Sequence, residues 1–155
     1  MPAIKTNTPK SSTYIELREK AKSLNETNDC SVKALTIVTG LAYELCHAAL
    51  KTAGRRDRDG ATVGQMRSAL AALGFNARYD REFSSDMIST YPKAHQILKG
   101  LTTHHPVRFA KQWADVRPCL LMQSRHVSAF VDGRVHDWAE GTARRVTQVW
   151  FVEKM

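Results

Sequence analysis

No stretch of this chain approaches the roughly 18 consecutive apolar residues that a membrane-spanning helix requires, which predicts a cytoplasmic protein without a membrane partner. Its three cysteines, Cys30, Cys46 and Cys119, show no Cys-x-x-Cys spacing. Neither a zinc ribbon nor an even disulfide framework is therefore predicted, and free thiols in a reducing compartment follow. Internal repeats and low-complexity tracts are lacking. So is any helix-turn-helix pattern, or an interleaving of aromatic with basic residues, that would point to nucleic-acid recognition.

What is present is a chain of 155 residues, 43% of them hydrophobic, enough for one compact core. The first 13 residues are polar and carry Pro2 and Pro9, so residues 1–13 are expected to form a flexible arm and not a signal peptide, with one domain over 14–155. The charge is +8, from 23 Lys+Arg against 15 Asp+Glu. Such an excess admits an acidic partner, although it is only partly clustered. The stretch Arg55-Arg56-Asp57-Arg58-Asp59 mixes signs and reads as a solvated loop.

Apolar spacing predicts a first helix from Ser12 or Thr13 to about Ser23, with Tyr14, Leu17, Ala21 and Leu24 on its inner face. A second, mostly buried helix follows Asn28-Asp29, one of which should cap it, and ends at Gly40; a third covers about Tyr43 to Thr52. Thr62 is expected to cap a fourth that runs to Leu73, before a short strand over Phe75 to Tyr79. Residues 80–102 give no clear pattern, and a further helix is expected over about 106–114. From Arg117 the period becomes two. Strands are predicted over Cys119–Met122, His126–Val131, Arg134–Trp138 and Val146–Val152, with Asp132-Gly133 as a hairpin turn. The expected class is α+β, with N-terminal helices followed by a C-terminal antiparallel sheet.

Among the cysteines, Cys30 falls in the first turn of a helix, where unsatisfied N–H groups and the positive dipole end favour a thiolate. Cys46 lies on an apolar helix face and Cys119 begins an apolar strand. Both read as packing residues. Counting outward from Asp132-Gly133 pairs Val131 with Arg134 and sets Ser128 opposite Asp137. His126 and Asp137 then become diagonal neighbours on one face, roughly 7 Å apart at Cβ. His136 takes the other face with Val127 and Ala129. A Cys30, His126, Asp137 triad is the resulting candidate: nucleophile, general base and acid, and the carboxylate that fixes the imidazole tautomer. Backbone N–H groups at the start of the Cys30 helix, aided by Asn28 or Asn25, are candidate oxyanion donors.

The run Asn28-Asp29-Cys30-Ser31-Val32-Lys33-Ala34-Leu35, with the later run from His126 to His136-Asp137-Trp138, resembles the papain-like cysteine peptidases. The likeness is closest to small bacterial and phage-type members related to bacteriocin-processing peptidases, in which cysteine, histidine on a strand and aspartate on the next strand come in this order. It implies a papain-like fold with helices packed on the sheet, cleavage of a peptide or isopeptide bond in a protein or peptide substrate, no cofactor and no metal. For a phage-encoded member it implies the host cytoplasm. Leu24 stands where the family usually carries its oxyanion glutamine. That departure, with the basic charge, keeps open an inert papain-like domain that binds an acidic protein or nucleic acid. Acyl transfer of the transglutaminase type shares the same layout.

Overall fold

Among the described residues, the chain is helical where the apolar period is that of a helix and extended where it is two. The structure is a computed structural model that describes residues 12–79, 81, 118–131, 134–136 and 146–155. In α1 (Ser12–Ser23), Leu17 and Ala21 are buried; Leu24, expected on the same face, lies beyond the helix end and is 42% exposed. Helix α2 (Cys30–Thr39) is buried from Ser31 through Thr36 and again at Val38. It packs against α3 on one side and against β3 on the other, so its apolar density serves both layers. Gly40 ends it at φ 72°, with its N–H on the Thr36 carbonyl, a left-handed cap that glycine adopts without Cβ strain.

Helix α3 (Tyr43–Thr52) buries Tyr43, Cys46 and Leu50, and α4 (Val63–Ala72) buries Met66, Ala69 and Leu70. The start of α4 is fixed by reciprocal hydrogen bonds. Thr62 Oγ1 accepts from the Gln65 amide at 3.0 Å, and the Thr62 amide donates to Gln65 Oε1 at 2.9 Å. This capping box satisfies two donors that the helix leaves open.

Strand β1 (Phe75–Tyr79) follows α4 directly and pairs with the chain's last strand, β5 (Val146–Lys154). With β2 (Cys119–Gln123), β3 (His126–Val131) and β4 (Arg134–His136) they form, among the described residues, a five-stranded antiparallel sheet in the order β1-β5-β2-β3-β4. The protein is thus α+β, with α2 packed on β3 and α4 on β1. Leu120, Met122, Val127 and Ala129 join Val32 and Leu35 of α2 in one core. Strand alternation turns Leu121, Gln123, Ser128 and Phe130 to the reverse face, and these too are buried.

The expected hairpin register is observed over three pairs: Val131 with Arg134, Phe130 with Val135, and Ala129 with His136. The Asp132-Gly133 turn, the helix expected over 106–114 and Asp137 lie outside the described residues. Strands β2 and β5 run slightly longer than their patterns predict, to Gln123 and Lys154. Among the described residues no helix is long and apolar enough to cross a membrane.

Replacing Thr62 by alanine removes one half of the capping box. Urea unfolding should show a loss of about 1 kcal/mol, with the Gln65→Ala variant losing less. An unchanged midpoint in Thr62→Ala would show that α4 is held by packing alone.

Candidate functional site

The site is built from the loop between α1 and α2. Asn25 and Asn28 adopt left-handed backbone angles, φ 53° and 50°, which asparagine tolerates better than most residues. These two turns send Glu26 and Asp29 inward. The Glu26 side chain is fully buried, and so is that of Arg55, whose Nη1 and Nη2 donate to its two carboxylate oxygens at 2.9 and 3.1 Å. His47 Nε2 lies 2.6 Å from Oε2, and the Arg58 amide donates to Oε1. Arg55 Nε in turn donates to the Asp59 carbonyl at 2.8 Å. One carboxylate thus joins the loop before Cys30, helix α3 and the loop over 55–59.

Arg55 corrects the sequence reading. The mixed-sign run from Arg55 to Asp59 reads as a solvated loop, yet Arg55 is 3% exposed, because its fork finds the Glu26 carboxylate.

Asp29 occupies the N-cap position of α2, but its side chain makes no capping hydrogen bond. Its carboxylate accepts from Tyr43 Oη at 2.8 Å and pairs with Lys33 Nζ at 3.0 Å. Burial, and then the hydrogen bond to Asp29, push the Tyr43 hydroxyl far above its ordinary range, so it remains a donor. The Tyr43 ring stacks on His47, with centroids 6.0 Å apart. Two polar clusters, Lys33–Asp29–Tyr43 and His47–Glu26–Arg55, are therefore joined through the Tyr43–His47 ring stack.

Because Asp29 is turned away, the first-turn amides of α2 are left without a side-chain cap. Cys30, half-buried at this point, lines a cavity of about 1340 Å³ together with Ser31. Across it, the two-residue turn Ser124-Arg125 joins β2 to β3, with Gln123 and His126 as register partners. Gln123 and His126 line the same cavity. His126 is the first residue of β3 and so sits at the end of the sheet that borders the opening. Gln123 Nε2 donates to Ser128 Oγ at 2.7 Å and to the Leu121 carbonyl at 3.3 Å, which fixes this corner. His136, paired with Ala129, is not among the residues lining the cavity.

Of the five residues singled out from sequence, Cys30, His126 and Asn28 border one cavity. The Asn28 amide nitrogen donates to the Arg58 carbonyl at 3.4 Å. Asn25 is exposed and outside the cavity lining, and its carbonyl accepts from Arg58 Nη1 at 3.4 Å. Asp137 lies outside the described residues. Cys46 and Cys119 are buried, and burial raises both thiols above their ordinary range. At Cys46, hydrogen bonds from Thr36 and Thr39 oppose that rise.

Three features were missed in the sequence: the Glu26–Arg55 pair, the turning of Asp29 to Tyr43 and Lys33, and the Gln123–Ser128 bond. No local spacing signals any of the long-range pairs. Among the described residues, Glu26, His47 and Asp57 are the one group spaced closely enough to share a metal ion. Arg55 already supplies the cation at both Glu26 oxygens, and a divalent ion there would face the guanidinium at short range.

Burial alone would push the Glu26 carboxyl up; hydrogen bonds from Arg55, His47 and the Arg58 amide, with the Arg55 charge, outweigh it and hold the group at about 2. A depressed carboxylate contributes stability that is present above its unfolded value and is lost as pH falls toward the folded one. Unfolding measured between pH 5 and about 2 should therefore show a stability loss that Glu26→Gln lacks. The Arg55→Met variant should lose roughly 3–5 kcal/mol at neutral pH, because it leaves a buried charge unpaired. Adding Glu26→Gln should restore part of that loss. Compared with known proteins, the chain matches no family model, no curated protein and no solved structure.

Proposed function

We propose that this protein is a small papain-like cysteine hydrolase that cleaves an amide in a protein or peptide substrate through an acyl-enzyme on Cys30. The observation that carries the reading is that Cys30 and His126, distant in sequence, line one cavity. Cys30 occupies the first turn of a helix whose amides no side chain caps. Of the three thiols it is the one that is not buried. An antiparallel sheet with a cysteine-bearing helix packed on its third strand is the arrangement that the papain-like reading requires.

In this mechanism the Cys30 sulfur attacks the substrate carbonyl carbon, a C–S bond forms and the carbonyl electron pair moves to oxygen. Open amides at the start of α2 receive that oxyanion, as backbone donors do when they are aimed at developing charge. His126, holding the thiol proton, delivers it to the amide nitrogen as the C–N bond breaks. Water, deprotonated by His126, then attacks the thioester and releases the acid and the Cys30 sulfur. Asp137 is assigned the orienting role on the sequence pattern alone, as the partner of the imidazole. The backbone amides take over the part that a glutamine at the Leu24 position would share.

Iodoacetamide should alkylate Cys30 at least about tenfold faster than Cys46 or Cys119, read by mass spectrometry of the native chain. His126→Ala should suppress that labelling while His136→Ala leaves it intact. Equal, slow modification of all three thiols would overturn the proposal. Peptide turnover in the presence of an added amine separates hydrolysis, which gives the free acid, from acyl transfer, which gives the new amide.

A further inference from the structure

The charges around the cavity are unequally paired. Its lining includes Glu26 and Asp29, but both carboxylates are buried and engaged, Glu26 by Arg55 and Asp29 by Lys33. Lys22, also in the lining, lies 3.5 Å from Glu19. That leaves Arg18 on α1 and Arg125 in the β2–β3 turn. Both are exposed, both line the cavity, and neither forms an ion pair with the described residues. Asp59, the third lining carboxylate, forms no ion pair among the described residues; its Oδ1 accepts from the Gly60 amide at 3.1 Å.

Arg125 is held in an unusual way. It occupies a two-residue hairpin turn at φ 55°, a conformation in which glycine or asparagine is the residue that stability favours. An arginine there carries a local backbone penalty, and it lines the cavity that His126 also lines. The buried Ser31 hydroxyl also lines the cavity and has no hydrogen-bond partner among the described residues.

We infer that Arg18 and Arg125 select substrates that carry a carboxylate close to the scissile amide, so that the natural substrate is an acidic peptide segment. This assignment rests on the hydrolase reading of Cys30. A guanidinium is suited to it because its planar fork binds a carboxylate through two parallel hydrogen bonds. Two such groups at the mouth of one cavity raise the local concentration of anions beside the nucleophile.

The test uses two alkylating agents of similar size on the full chain, anionic iodoacetate and neutral iodoacetamide. In both reactions the Cys30 sulfur displaces iodide, a C–S bond replaces the C–I bond, and the thiol proton passes to His126 or solvent. The iodoacetate-to-iodoacetamide rate ratio at Cys30 should exceed that of a cysteine in a short neutral peptide by about fivefold. It should fall toward the peptide value in Arg125→Gln and Arg18→Gln, and in the unmutated protein as potassium chloride rises from about 50 to 500 mM. Fast, His126-dependent labelling by both agents with a peptide-like ratio would overturn the anion selectivity and leave the hydrolase reading standing. A raised, arginine-dependent ratio with labelling that is slow and indifferent to His126→Ala would instead overturn the hydrolase reading, and the substrate assignment with it.

Discussion

The fully buried Glu26 carboxylate is the constraint on which the candidate site depends. Taking both Glu26 and Arg55 out of water costs several kcal/mol per ion, and their attraction repays this only with good geometry and additional hydrogen bonds. Here the geometry is bidentate, and His47 and the Arg58 amide complete the carboxylate's partners. A pair of leucines would fill such a position without the desolvation penalty. What apolar residues lack is direction: the carboxylate can be satisfied only when the loop before Cys30, helix α3 and the loop over 55–59 adopt one mutual arrangement. The pair is thus better understood as fixing where α2 begins than as a source of net stability.

Asp29 extends this logic by one residue. In most helices an aspartate at the N-cap would turn its carboxylate onto the first-turn amides. Here Tyr43 and Lys33 compete for it and win, since a charge-assisted bond within a buried network outweighs a single capping bond. As a consequence, amides that a cap would occupy stay open at the residue that carries the thiol. The same network therefore sets the position of Cys30 and the polarity of the space above it.

Much of the fold was legible because it is local. The Gly40 end of α2, the ends of α3, the Thr62 cap and the β3–β4 register follow from apolar period, capping residues and turn chemistry. The structure places them where those signals fall. Leu24 was misjudged because the helical period was carried past the residue where the helix stops. The burial of Arg55 was illegible for a different reason. An arginine in a charged loop looks solvated until the carboxylate that captures it, 29 residues earlier, is brought into contact. Similarly, the Ser124-Arg125 turn lacks the glycine or asparagine that announces a tight hairpin, and only the Gln123 and His126 register reveals it. At the candidate site, sequence supplied Cys30 and His126; the groups that hold Cys30 in place came from tertiary contacts alone.

The two halves of the site are fixed by different physics. His126 is placed by the β2–β3 ladder, whose strands are buried along nearly their whole length and whose pairs support one another cooperatively. Cys30 is placed by a loop with little apolar burial of its own, in which Glu26 and Asp29 are buried while Leu24, Asn25, Thr27 and Asn28 are exposed. Regions with few buried apolar contacts open at lower free energy than the strands of a core. The placement of Cys30 relative to His126 is therefore governed from the Cys30 side, and within that loop by whether one carboxylate keeps its partners. Loosening Glu26 would separate the pair of groups while the sheet remains intact, so the site can lose its alignment well before the protein loses its fold.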